Sequence, residues 1–360
     1  RFGGDEFVLL CEDVDSEAEA LEIAERTLAV FDRPFTLAGA AHRVTASIGV
    51  AIAWGREAPD AVLRDADSAM YRAKDRGRAR FELFDEDMRA RALDRLATEV
   101  ALNGAAERGE LRLFYQPVVK AGTGEVVAAE ALLRWERPGY GLVAPSDFIP
   151  VAEQSGQILE LGEWVLRTAC AEVVRWNRED LGRGRELGVT VNLSARQLSQ
   201  PGLVEMVART MEETGLTVPW MLGLEITESV LMEDIDAAAE TLTRLGELGV
   251  MLVLDDFGAG YSSLAYVKRL PLDVLKLDRS FSDGLTDGGK DVAIVAAVSA
   301  MAQAIGVRVV AEGIETAAQA ERANELGCGY AQGYWYARPM APEALSQVLG
   351  RPLPLAAARA

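Results

Sequence analysis

Residues 250–260 read VMLVLDDFGAG, and the fold turns on how they are read. Five apolar residues, Val250 to Leu254, run without alternation into two adjacent carboxylates, Asp255 and Asp256. A flexible Gly258-Ala259-Gly260 turn follows. An unbroken apolar run describes a strand buried on both faces, as in a parallel sheet. Two like charges at its end repel, so one carboxyl is expected to have its pKa raised unless a cation sits between them. A buried strand followed by an ordinary acidic turn would read the same way. What separates the two readings is that the design recurs along the chain.

From Leu111 onward, strand and helix patterns alternate. Strands are expected at 111–119, 126–134, 188–193, 222–228, 250–255, 273–278, 307–312 and 329–336. Helical patterns fall at 157–177, 201–214, 236–248 and 291–305. Such repetition implies a parallel sheet with right-handed crossovers. Eight strands over roughly 250 residues predict an α/β fold, a TIM-type (β/α)8 barrel. A doubly wound open sheet is the alternative, but no GxGxxG turn supports it.

The polar residues then fall into place. Glu130 lies in AAEALLRW, Asn192 ends VTVNLS, and Glu225 and Glu228 lie in LEITES. Lys276 and Asp278 lie in LKLDRS, Glu312 and Glu315 in VVAEGIE, and Gln332 in GYAQGY. With Asp255 and Asp256, each sits at or near the carboxyl end of its strand, where barrel enzymes keep their chemistry. Burying so many carboxylates at one mouth, with Lys276 and Arg134 as the main cations, is costly unless they are paired. Two divalent cations roughly 3.5–4 Å apart would resolve that cost and suit phosphodiester hydrolysis. A merely hydrogen-bonded polar core is the blander alternative.

Composition narrows the classes. The chain has 360 residues, enough for two domains, and 49% are hydrophobic. Its net charge of −19 is spread along the chain: residues 1–86 carry 11 basic and 18 acidic residues, and residues 87–360 carry 26 and 38. That surface argues against nucleic-acid binding, which needs a basic footprint. Cys11, Cys170 and Cys328 form no CxxC pair and fit a reduced, cytoplasmic compartment. The one histidine, His42, excludes histidine-based zinc sites and Ser-His-Asp triads. Any metal would have oxygen ligands, which points to Mg2+ or Mn2+. Residues 292–311 are apolar enough to raise the question of a membrane span, but Gln303, Gly306 and Arg308 interrupt them, so a helix and a buried strand are expected. The first residue is not Met, so upstream domains or membrane anchors are expected in the full-length protein.

Toward the start, Gly3-Gly4 between apolar positions predicts a hairpin turn. Residues 16–32 read as a helix with Ser16 as N-cap and Glu19 completing a capping box. Residues 43–53 and RARFELF read as strands, and the spacing of Leu63, Ala66, Ala69 or Met70, and Ala73 predicts a helix that Gly77 stops. Leu93, Leu96 and Val100 suggest an amphipathic helix at about 90–108, with a domain boundary near 86–90. The expected division is 1–86, 87–350 and a tail at 351–360.

Gly3-Gly4-Asp5-Glu6-Phe7, Ser47-Ile48-Gly49-Val50-Ala51 and Tyr71-Arg72-Ala73-Lys74 with Gly77-Arg78 resemble a GGDEF domain, of the diguanylate cyclase family. The resemblance implies the C-terminal part of an α+β domain. It also implies a magnesium ligand at Glu6, Asp5 beside a reacting ribose hydroxyl, and GTP phosphate contacts at Lys74 and Arg78. The family's upstream metal-binding Asp, its guanine-binding residues and its inhibitory RxxD site would precede Arg1. Cyclase activity is therefore not expected of this chain.

The later motifs resemble the EAL family of cyclic di-GMP phosphodiesterases. Glu130-Ala131-Leu132-Leu133-Arg134-Trp135, Tyr115-Gln116-Pro117, Asn192-Leu193-Ser194, Glu225-Ile226-Thr227-Glu228 and Asp255-Asp256-Phe257-Gly258 carry the likeness. Lys276-Leu277-Asp278, Glu312-Gly313-Ile314-Glu315 and Gln332-Gly333 follow in family order. Ala259 departs from the usual DFGTG form, which bears on loop stability and not on a metal ligand. The resemblance implies a first metal on Glu130, Asn192, Glu225 and Asp255, and a second on Asp255, Asp256 and Glu312. It implies that Lys276 holds the attacking water with Asp278 close by, and that Glu228 braces the loop 256–264. It implies substrate contacts at Gln116, Leu133 and Arg134, with Gln332 orienting water or substrate.

The expected activity is hydrolysis of cyclic di-GMP to linear pGpG with two Mg2+ or Mn2+ ions, by a homodimer, with the GGDEF part regulatory or GTP-sensing. The alternatives are a non-catalytic cyclic di-GMP receptor, which loss of a ligand carboxylate would mark, and net cyclic di-GMP synthesis by the full-length protein.

Overall fold

In a computed structural model of the protein, the run Val250–Leu254 is the body of strand Met251–Phe257, buried from Met251 to Asp255. The structure describes all residues except 2, 13, 15, 38–39, 54–57, 232–234, 259–268, 287–288 and 355–360, and the side chains of 37, 40 and 86–93. Ala259, much of the loop that Glu228 is expected to brace, and the end of the tail lie outside the described residues. Contacts divide the chain into two units, Arg1–Val100 and Ala101–Ala360, within the span of helix Glu86–Leu102. Leu96 and Val100, expected on the apolar face of that helix, are exposed. The buried side is instead set by Thr98 and Leu102, one turn apart.

The first unit is built from short pieces. Strands β1 (Phe35–Leu37) and β2 (Ala40–His42) pair as a hairpin. Strands β3 (Ile48–Val50) and β4 (Phe81–Leu83) pair in parallel, with helix Pro59–Asp75 between them. Gly49 lets that helix lie on β3, because a β-carbon there would come within 1.9 Å of the Ala66 carbonyl oxygen. Ser16 caps helix Glu17–Ala29 by accepting from the Glu19 amide. The expected turn at Gly3-Gly4 is present, with the Glu6 amide donating to the Gly3 carbonyl at 2.7 Å.

The second unit is a closed barrel. Its strands are β5 (Leu111–Lys120), β6 (Val126–Arg137), β8 (Gly188–Asn192), β9 (Leu222–Thr227), β10 (Met251–Phe257), β11 (Val274–Leu277), β12 (Arg308–Ala311) and β13 (Tyr330–Ala331). A short strand β7 (Gly141–Val143) extends β6 outside the ring. From β6 through β13 the ring strands pair in parallel, but β5 runs antiparallel to both its neighbours, β6 and β13. The sheet expected to be parallel is so except at β5. The turn between Lys120 and Val126 is too short for a crossover helix, so those two strands can only form a hairpin.

Helices cover the outside. Ile158–Arg178 buries Leu161, Val165, Ala169, Cys170, Val173 and Trp176 at helical spacing. Leu203–Thr214, Ile235–Glu247, Lys290–Ala304 and Ala317–Glu325 continue the shell. The apolar stretch 292–311 is thus a helix followed by β12, and among the described residues no helix is long and apolar enough to cross a membrane. The last strand is far shorter than the expected 329–336. Beyond Ala331 the chain leaves the ladder and pairs with Ile314, whose amide donates to the Gln332 carbonyl at 3.1 Å. A β-carbon at Gly333 would come within 2.2 Å of the Ile314 carbonyl oxygen, so glycine is what permits the approach.

Candidate active site

Side chains alternate in and out along a strand, so residues two apart share a face. Val118, Val253, Val274 and Val310 form an apolar cluster of their own, with Val127, Ala128 and Tyr330 packed on it. This is the barrel floor. Two residues further toward the mouth come Glu130, Asp255 and Lys276 on their strands and Glu312 and Gln332 just past the ends of β12 and β13. Gly223 and Thr190 stand in the same relation to Glu225 and Asn192, and a β-carbon at Gly223 would come within 2.8 Å of Thr190 Cγ2. On β5 the chain runs the other way, so the residue above Val118 is Gln116, earlier in sequence.

Lys276 Nζ lies at the centre of the polar layer. It is 2.7 Å from Glu312 Oε1, 2.8 Å from Glu225 Oε2, and 3.2 Å from both Glu130 Oε2 and Asp255 Oδ1. Its side chain is 3% exposed. Gln332 Nε2 donates to Glu130 Oε2 (2.7 Å) and Gln116 Oε1 (3.2 Å), and Asn192 Nδ2 donates to Glu130 Oε1 (2.9 Å). Gln116 Nε2 in turn donates to the Ala337 carbonyl at 3.1 Å.

The electrostatics follow from burial and charge. Burial works against the Lys276 ammonium, yet the facing carboxylates, Glu130 and Glu225 foremost, push its pKa well above the usual lysine value. Burial also works against ionised Glu130, but the Lys276 charge and the two amides bring its carboxyl below the ordinary range. Glu225 is pushed well above that range, first by burial and then by the Glu130 charge. Burial pushes Glu312 up to about 7, against the pull of Lys276. Asp256 is raised by burial and by Asp255 beside it, as the sequence reading expects of one of the pair. One ammonium faces Glu130, Glu225, Asp255 and Glu312, with Asp256 beside them, so the layer is short of positive charge.

A β-bulge sets the two aspartates. Leu254 pairs with Leu275, but the next pairing is Phe257 with Leu277, so one extra residue is accommodated on β10. Asp256 absorbs it at φ 53°, a left-handed conformation rare for a residue with a side chain. Its amide donates to Asp255 Oδ1 at 3.0 Å. One oxygen each from Asp255, Asp256 and Glu312 lies within 4.8 Å of the other two. Clustered carboxylate oxygens short of a counter-charge fit a hard divalent cation such as magnesium or manganese.

The other residues singled out from the sequence are spread around this layer. Asp278 follows β11 and caps helix Arg279–Asp283, accepting from the Ser280 amide. Glu228 opens the short helix Glu228–Leu231, and Glu315 pairs with Arg279 at 2.8 Å. Arg134 donates to the Leu133 carbonyl and lies over the Phe114 ring, 5.7 Å from its centroid. The Leu133 side chain belongs to the hydrophobic core. In the first unit Gly3, Gly4, Asp5 and Glu6 are all exposed. Lys74 lies 5.6 Å from the Tyr71 ring centroid near the end of its helix, and Arg78 follows at φ 58°. Ser282 and Gln319, which link the ends of β11 and β12, were not singled out by the sequence reading. The Thr316-x-x-Gln319 spacing is a readable capping-box signal, whereas nothing in the sequence marks Ser282.

The EAL domain family matches residues 99–339, and the diguanylate cyclase GGDEF domain matches residues 1–80. The chain is 42% identical over 346 residues to the bifunctional diguanylate cyclase/cyclic di-GMP phosphodiesterase MucR of Pseudomonas aeruginosa, covering 96% of this chain and 50% of MucR. It is 40% identical over 350 residues to the cyclic di-GMP phosphodiesterase NbdA of the same organism, covering 97% and 44%. The chain thus spans about half the length of the curated relatives it matches. The MucR phosphodiesterase in complex with cyclic di-GMP matches with a TM-score of 0.65 at 43% identity, over 69% of this chain and 99% of that one. The EAL enzyme Bd1971, in its cAMP and cyclic di-GMP bound form, matches with a TM-score of 0.67 at 30% identity, over 72% and 69%.

Proposed function

We propose, as the chain belongs to the EAL domain family and carries GGDEF-domain sequence ahead of it, that it hydrolyses cyclic di-GMP to linear pGpG. The observation that carries this reading is the layer of carboxylates around Lys276, short of positive charge. The carboxylates expected as metal ligands, Glu130, Glu225, Asp255, Asp256 and Glu312, are all in or beside it, which favours an enzyme over a receptor.

Two divalent cations would be held by Glu130, Asn192, Glu225 and Asp255 on one side and by Asp255, Asp256 and Glu312 on the other. Bound there, they would supply Lewis acidity toward the phosphate and the attacking water. The chain's own groups do the rest. Lys276 Nζ donates to the attacking water and fixes its approach, with Asp278 close by. Gln116, Arg134 and the Leu133 backbone hold the substrate. Gln332 orients Glu130 and Gln116 through its amide. Water attacks phosphorus in line, the bond to the opposite ribose oxygen breaks as the new P–O bond forms, and the proton the water loses ends on that ribose oxygen.

We assign the first unit a regulatory or GTP-sensing role through Lys74, Arg78, Asp5 and Glu6, and read the working form as a homodimer in a reduced compartment. The test of the main reading is incubation with cyclic di-GMP and separation of the products. Linear pGpG is expected with Mg2+ or Mn2+ and not with Ca2+, which takes more ligands at longer distances. Unchanged nucleotide in every metal would overturn the reading.

A further inference from the structure

Asp255 and Asp256 leave β10 on one side of the mouth, Glu312 follows β12 on the other, and β11 lies between. The segment after β11 touches the main chain of both. The Asp278 amide donates to the Phe257 carbonyl at 3.3 Å. Phe281 covers Gly258 so closely that a β-carbon there would come within 2.2 Å of its ring. On the other side, the Ser282 hydroxyl donates to the Glu312 carbonyl. Arg279 pairs with Glu315 and lies against Gly313, where a β-carbon would come within 2.3 Å of Arg279 Cγ. Ser282 is 2% exposed and Gln319 is 8% exposed.

Gln319 ties this bridge down. Its Oε1 accepts from the amides of Glu315 and Thr316, each at 2.9 Å, and from the Thr316 hydroxyl at 3.2 Å. Two main-chain N–H donors on one atom fix which end of the amide is oxygen. The nitrogen therefore points the other way, and Nε2 donates to the Ser282 carbonyl at 3.1 Å. Gln319 holds Ser282, and Ser282 holds Glu312.

We propose that Gln319 and Ser282 are positioning residues that set the separation between Glu312 and the Asp255–Asp256 pair, and so the affinity of the mouth for a divalent cation. The proposal rests on reading the site as a metal-dependent phosphodiesterase. Groups that hold metal ligands from outside typically change metal affinity or activity by about 10–100-fold when removed. The segment they tie to the Glu312 side also contacts β10 through Asp278 and Phe281, which gives these two that leverage although they sit behind the carboxylates.

Two variants of the full chain test it. Gln319→Glu keeps an oxygen for Glu315 and Thr316 and suits the capping box, but turns the donor to Ser282 into an acceptor. Ser282→Ala removes the hydroxyl alone. Three measurements apply: the thermal midpoint in EDTA, Mn2+ binding by electron paramagnetic resonance without nucleotide, and cyclic di-GMP hydrolysis across Mg2+ concentrations. Both variants are expected to fold and to bind Mn2+ about 10-fold more weakly or worse. The value of kcat should fall at limiting metal, KM for cyclic di-GMP should change little, and high Mn2+ should restore part of the rate. Folded variants with wild-type Mn2+ affinity and wild-type kcat would overturn the proposal. If the wild type binds Mn2+ but hydrolyses nothing, the phosphodiesterase reading fails, while the Mn2+ titration still decides the positioning role. If Gln319→Glu does not fold, Ser282→Ala decides.

Discussion

Adjacent acids stand near glycine both at Gly3-Gly4-Asp5-Glu6 and at Asp255-Asp256-Phe257-Gly258, and these two stretches end in different environments. Both contain a left-handed residue: Gly4 at φ 51° in the first, Asp256 at φ 53° in the second. Glycine adopts that conformation without penalty, whereas an aspartate does so only where its surroundings over-determine it. At Asp256 the surroundings are a bulge, a hydrogen bond to its neighbour's carboxylate, and strands on either side. At Asp5 and Glu6 the acids face solvent. An acidic pair in water needs no partner. The same pair at the mouth of a barrel, around one lysine, makes a demand for positive charge that the protein itself does not meet.

The largest expected effect tests that contrast at its centre. Asp255→Asn keeps the size of the side chain and removes the charge proposed to serve both cations. Turnover of cyclic di-GMP is expected to fall on the order of 10²-fold or more. Nucleotide binding should fall less, because Gln116 and Arg134 remain. The metal-free thermal midpoint should not fall, since the substitution relieves repulsion with Asp256 and Glu225. Turnover close to wild type would remove Asp255 from the chemistry. A collapsed fold would support a hydrogen-bonded structural core.

The barrel was legible in the sequence because apolar strands ending in polar residues recur along it, and each of Glu225, Asp255, Lys276 and Glu312 marks such an end, whereas Glu130 lies inside the longer β6. The reversal of β5 carried a signal too, in the short turn between Lys120 and Val126, but alternation of strand and helix outweighed it. The early end of β13 had no local signal. Tyr334, Trp335 and Tyr336 suit a strand, and what ends the ladder is the close approach of Gly333 to Ile314, a tertiary event. The left-handed Asp256 was equally hidden, because a bulge depends on the partner strand. Leu96 and Val100 misled by their spacing, since a four-residue stripe says which face is apolar and not whether anything covers it.

A second expected effect is on stability against pH, and it sharpens what burial does to the mouth. Burial pushes the Glu312 carboxyl up to about 7 in the folded, metal-free protein. A raised carboxyl means that the fold favours the protonated form. Its stabilisation is complete below the unfolded value, about 4.3, and is lost as pH rises through about 7. Glu225 acts in the same direction, and Glu130 in the opposite one. The thermal midpoint in EDTA is therefore expected to fall between about pH 5 and pH 8. Saturating Mn2+ should flatten or reverse the fall, because a cation favours the ionised carboxylates. A midpoint independent of both pH and metal would remove the charge imbalance from the argument.

The smallest effect is expected where the comparison began. Asp5→Asn combined with Glu6→Gln changes two exposed carboxylates that make no demand on their surroundings. Exposed substitutions of this kind usually change folding stability by no more than about 0.5 kcal/mol, so the chain should stay folded and hydrolysis of cyclic di-GMP without GTP should stay close to wild type. The GTP arm of the experiment is separate. If the first unit senses GTP through Asp5 and Glu6, any change that GTP makes to the wild-type rate should shrink in the double variant, while the rate without GTP stays put. A basal rate that falls as far as in Asp255→Asn would break the comparison, because an exposed acidic turn would then be as much a part of the hydrolytic site as the buried Asp255. A GTP response that survives intact would leave the barrel reading standing and move the sensing role away from Asp5 and Glu6.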